Sequence, residues 1–128
     1  MPESTKLKVL IIDDDAFLSN IYVTELELEG FSVVSGRDGE EGIKLALKEK
    51  PDLILLDVLM PKLDGFEALK RLKADKATKD IPVIILTNLG QKEDTEKGLA
   101  DGAVDYLIKA HFVPAEAVAK MKRVLKLV

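Results

Sequence analysis

The sequence predicts an α/β fold, a parallel sheet covered by helices on both faces. Three observations predict it. The apolar runs Val9-Leu10-Ile11-Ile12, Leu53-Ile54-Leu55-Leu56 and Val83-Ile84-Ile85-Leu86 lack polar alternation, as strands buried on both faces do. Segments with helical spacing or helix caps stand between them. The connections are short, so right-handed crossovers bring successive strands into a parallel sheet.

The first strand starts near Leu7 and ends in three acids, Asp13, Asp14 and Asp15. Ala16 to Glu29 reads as a helix closed by Gly30, with Asp15 as N-cap. Phe17, Ile21 and Leu28 share one of its faces, but the apolar pattern is not clean. Phe31 to Gly36 is a short strand, and Asp38 to Lys50 a helix with Ile43, Ala46 and Leu47 as its apolar stripe. Pro51 ends that helix and opens the central strand, which emerges at Asp57. Pro61 to Gly65 is a turn, where Gly65 is free to take a positive φ. Phe66 to about Ala74 is a helix, with Phe66, Leu69 and Leu72 inward. Ile81 to Leu86 is the fourth strand, ending on Thr87. Gln91 to Ala100 is a helix almost without an apolar face, and Gly98 should weaken it. Val104 to Ile108 is the fifth strand, followed by Lys109. Pro114 to Leu127 is the last helix, lined by Val118, Met121, Leu125 and Val128.

Five strands thus alternate with five helices, and a single domain is expected over residues 1–128, its core from about 6 to 127. With 47% hydrophobic and 33% charged residues among 128, a packed core is affordable and disorder is not expected. There is no Cys, so disulfide and thiolate chemistry are excluded. The net charge of -4, with both signs interspersed, gives no support to direct nucleic-acid binding. No apolar run has membrane length and Met1 to Lys8 has no signal-peptide core, so a cytoplasmic protein without membrane insertion is expected.

Polar groups gather beyond the strand ends, where open α/β sheets bind ligands. Asp13 and Asp14 follow the first strand, Asp57 the third, Thr87 the fourth and Lys109 the fifth. Three close carboxylates repel one another and call for a cation. Mg²⁺ suits two carboxylates and a backbone carbonyl, with Mn²⁺ as a substitute. A calcium loop is missing, and one His without Cys disfavours zinc. A lysine and a hydroxyl aimed at the same point suit a phosphoryl group, and Asp57 could carry it as an aspartyl phosphate.

From about Lys6 to Leu127 the chain resembles the receiver domains of two-component response regulators, most closely in layout the single-domain chemotaxis-type receivers. The resemblance rests on Asp13-Asp14, on Asp57-Val58-Leu59-Met60-Pro61 followed by Asp64-Gly65, and on Thr87, Tyr106 and Lys109. It implies the flavodoxin-like (βα)5 three-layer sandwich with strand order 2-1-3-4-5. It implies that Asp57 accepts phosphate from the phosphohistidine of a sensor histidine kinase or phosphotransfer protein. It further implies that Asp14, Asp57 and the Leu59 carbonyl ligate Mg²⁺ directly and Asp13 through a water. Thr87 and Tyr106 would be switch residues, and the surface of helix four, strand five and helix five would meet an output protein. The chemistry would be phosphotransfer onto the chain itself and slow self-hydrolysis.

Three departures stand out. Ala110 replaces the usual proline after the lysine, so a trans bond with an altered loop, or a cis bond held by its neighbours, is expected. Asn88 replaces a small residue after the hydroxyl, and Ala110-His111-Phe112 is unusually apolar. His111, the only histidine, reads as a loop residue, and Lys92 to Lys97 as a solvated face. Alternatives are a phosphorelay intermediate, a receiver-like binding protein acting unphosphorylated, a receiver cut from a larger regulator, and an aspartyl-phosphate hydrolase. The last needs a second general acid or base near Asp57 and a cap inserted after the first strand, and the sequence has no such insertion.

Overall fold

A computed structural model describes residues 7–58, 65–87, 92–108 and 114–125. Its strands are β1 (Lys8–Ile12), β2 (Ser32–Gly36), β3 (Leu53–Asp57), β4 (Val83–Thr87) and β5 (Asp105–Ile108). Its helices are α1 (Ala16–Leu28), α2 (Gly39–Glu49), α3 (Gly65–Ala74), α4 (Lys92–Ala100) and α5 (Pro114–Val124). All neighbouring strands are parallel, in the order β2-β1-β3-β4-β5. The order reverses at β1, which leaves β1 and β3 side by side with Ile12 opposite Leu56.

The side chains of each strand alternate between faces, so the sheet divides the core into two layers. Val9, Ile11, Leu53, Leu55, Ile84, Leu86 and Leu107 pack on α1 and α5, through Tyr22, Leu26, Ala117, Val118 and Met121. Leu10, Ile12, Ile54, Leu56, Val83 and Ile85 face the other way, onto Ala46 of α2 and Ala68, Leu69 and Leu72 of α3.

Local chemistry sets the element ends. Asp15 caps α1, its Oδ1 accepting from the Leu18 N–H at 3.1 Å. Asp38 and Lys50, expected inside the second helix, are its caps: Asp38 Oδ1 accepts from the Glu41 N–H at 2.8 Å and Lys50 is left-handed, with φ 49°. β4 starts at Val83 rather than Ile81, because Pro82 has no N–H to give; its carbonyl accepts the Ile54 N–H at 3.0 Å.

Three expectations about glycines and faces change. Phe17 and Leu28 do share a face of α1, but it is the outward one: they are 75% and 76% exposed, and Ser19, Tyr22 and Leu26 are buried instead. Gly98 is no mere weak point. It is buried, and a Cβ there would run into Ile85 Cδ1, so the missing side chain is what lets α4 lie close on β4. Among the described glycines only Gly30 and Gly102 have positive φ; Gly65 is needed for a different reason, given below. No helix among the described residues is long and apolar enough to cross a membrane.

Candidate functional site: an acidic cluster at the strand ends

Adjacent strands bring the carboxylates together. Asp57 is the last residue of β3, and Asp13 and Asp14 follow β1. The Asp13 N–H still donates to the Gly36 carbonyl at 3.0 Å, so pairing with β2 fixes its backbone one residue beyond β1. Asp13 Oδ1 accepts the Asp15 N–H at 2.9 Å. Asp13 and Asp57 are 0% and 2% exposed, whereas Asp14 is open to solvent. One oxygen from each of Asp13, Asp14 and Asp57 lies within 4.8 Å of the others. This is an all-oxygen, anionic donor set with one accessible edge, which is compatible with a hard divalent cation.

Gly65 opens α3 directly against this edge. A Cβ at that position would collide with the Asp57 carbonyl and the Val58 Cα, backbone atoms that cannot step aside. The turn glycine is therefore a close-approach residue.

Thr87 ends β4 and is 1% exposed, and its Oγ1 has no hydrogen-bond partner among the described residues. Tyr106 lies on β5 opposite Ile85 and is half-buried. Lys120 of α5 holds it from outside: its Nζ donates to the Tyr106 carbonyl at 2.6 Å, lies 3.3 Å from Asp105 Oδ1 and stands 4.5 Å from the ring centroid. The expected contributions of the Leu59 carbonyl and Lys109, together with Asn88, Ala110 and His111, lie outside the described residues.

The sequence reading missed Tyr22. It is 1% exposed and sits one turn after Ser19, on the buried face of α1. Burial first, then the charges of Asp13 and Asp57, raise its phenol above the ordinary tyrosine range. The spacing Ser19, Tyr22, Leu26 was the available signal, obscured by the more hydrophobic Phe17 and Leu28. A polar cavity of about 360 Å³ lies between α1 and the end of β2, lined by Ser19, Asn20, Gly36, Arg37 and Glu41 among others.

Comparisons with known proteins bear on the family and the fold. The profile of the response regulator receiver domain matches residues 9–122. The DNA-binding dual master transcriptional regulator RpaA of Synechocystis is 44% identical over 93% of this chain and 49% of its own length. The chain spans about half the length of the curated relatives it matches. Among solved structures, chemotaxis response regulator CheY4 of Vibrio cholerae superposes with TM-score 0.87 at 32% identity, covering 94% of this chain and 99% of that one. The receiver domain of Francisella response regulator 1452 gives TM-score 0.86 at 34% identity, covering 94% and 98%. With the 2-1-3-4-5 sheet and the acidic cluster at its reversal point, these matches establish that the chain belongs to the response regulator receiver domain family.

Proposed function

We propose that this domain is a phosphoacceptor module in which Asp57 takes a phosphoryl group from a phosphohistidine. The observation that supports it most is the meeting of three carboxylate oxygens within 4.8 Å at the ends of β1 and β3. An Asp57 oxygen attacks phosphorus, the P–N bond to the donor imidazole breaks, and the imidazole leaves with its electron pair and takes up a proton. Mg²⁺, held by Asp14, Asp57 and the Leu59 carbonyl with Asp13 reaching it through water, would neutralise charge on the phosphoryl oxygens. Thr87 supplies a buried hydroxyl and Lys109 a cation for the same oxygens. Hydrolysis of the acyl phosphate resets the domain.

The partners under this reading are a sensor histidine kinase or phosphotransfer protein and an output protein on the surface of α4, β5 and α5, all in the cytoplasm. A single receiver domain filling residues 1–128 suits this role. The half-length match to transcriptional regulators favours a second output, in which the domain governs a DNA-binding partner domain. The size of the native protein on an immunoblot separates the two.

The test is phosphorylation by acetyl phosphate with Mg²⁺. One adduct per chain, mapped to Asp57 and absent from a folded Asp57→Asn variant, is expected. A phosphoryl group mapped to another residue, or steady turnover of phosphomonoesters, would overturn the reading.

A further inference from the structure

Tyr22 heads the wholly buried side chains in volume. Its ring packs in the layer that holds Val9 and Ile11 of β1 and Leu53 and Leu55 of β3. Alternation along each strand carries these series on to Asp13 and to Asp57. Both carboxylates therefore open onto the layer occupied by Tyr22, not onto the opposite one. The phenol oxygen is itself out of solvent's reach, and both carboxylates act on it electrostatically. A leucine would fill an apolar layer without bringing in a hydroxyl, whose burial is costly unless it is hydrogen-bonded. A phenol is neutral at pH 7 and can donate; a carboxylate only accepts.

We propose that Tyr22 is a positioning residue of the acidic site, its phenol donating to the Asp13–Asp57 carboxylate pair through one bridging water and fixing their orientation for the cation and the incoming phosphoryl group. The inference rests on the phosphoacceptor reading above. Groups that orient metal ligands in this way commonly matter about as much as the ligands' own geometry. The competing account makes Tyr22 a space-filling core residue whose hydroxyl does nothing.

Tyr22→Phe keeps the ring and removes only the donor. The expected result is Mg²⁺ binding weakened about 10-fold, with phosphorylation by acetyl phosphate slowed at low Mg²⁺ and largely restored at saturating Mg²⁺. A variant whose melting temperature falls while its Mg²⁺ affinity and its rate at low Mg²⁺ stay within twofold of the parent overturns the proposal. The unmutated chain provides a second readout, since it has two tyrosines and Tyr106→Phe assigns their ring resonances. The Tyr22 ring signals should follow the Mg²⁺ titration with the same midpoint as the Asp57 amide. Ring signals that stay fixed overturn the proposal even if Tyr22→Phe fails to fold. An unmutated protein that forms no Asp57 adduct removes the phosphoacceptor reading and this one together, whereas an intact adduct with an indifferent Tyr22 removes this one alone.

Discussion

Thr87 carries a hydroxyl that is buried and has no hydrogen-bond partner among the described residues. Such a group costs stability in this state, and use in another state would account for its presence. Thr87→Val should therefore leave the unphosphorylated domain unchanged or more stable, by up to about 1 kcal/mol. The same change should weaken the stabilisation gained from a beryllofluoride adduct. Urea denaturation with and without the adduct measures both; a loss of about 2 kcal/mol in the unliganded protein would mean that the hydroxyl already has work there. Asp13, Asp14, Asp57 and Thr87 were legible because each stands at the end of an unbroken apolar run, which fixes its place in space. Tyr22 was not, because its spacing with Ser19 and Leu26 is obscured by the more hydrophobic Phe17 and Leu28, and part of its surroundings is supplied by β3, far along the chain. Lys109 was named from its place after the fifth strand and Leu59 from the family resemblance, and both lie outside the described residues.

At the scale of elements, strands were easier to read than helix faces. Val9 to Ile12, Leu53 to Leu56 and Val83 to Leu86 are all 0% exposed, and burial on both faces leaves a continuous hydrophobic signature. Helix α1 shows the reverse. Its buried face includes Ser19 and Tyr22 while Phe17 and Leu28 point to solvent, so hydrophobicity alone misplaces the face. Helix α4 was read as almost without an apolar face, and Leu99 within it is 41% exposed. Its anchorage lies in the absent side chain of Gly98. Gly98→Ala should gain about 1 kcal/mol of helix propensity yet lose more by pushing on Ile85, leaving the domain less stable by roughly 1 kcal/mol. Ile85→Val removes the obstructing Cδ1 methyl. The double variant should then be more stable than the sum of the single changes implies, a coupling read from a double-mutant cycle in urea. Strict additivity would show that α4 does not rest on β4 at this point.

For the whole molecule, a cation bound among the three close carboxylates would offset their mutual repulsion. A ligand that binds only the folded state, at tenfold its Kd, adds about 1.4 kcal/mol, or about 5 °C in Tm for a domain of this size. Mg²⁺ should raise the Tm of the unmutated chain accordingly. Asp14→Ala removes one of three like charges and one ligand together. Its metal-free Tm should rise and its response to Mg²⁺ should shrink, as followed by thermal denaturation across a Mg²⁺ series. An unaltered response would exclude Asp14 as a direct ligand.

The central strands contribute alternate side chains to both core layers, so neither layer can open while the other stays closed around them. Amides of β1, β3 and β4 should then exchange with solvent only when the entire domain unfolds, while helix ends and connecting loops open far more often. The acidic cluster is consequently mounted on the stiffest part of the chain. Under the phosphoacceptor reading, phosphorylation would not act by bending its own support; the motion it releases would be taken up by the helices and the connecting loops, including the helix held to the sheet through a glycine.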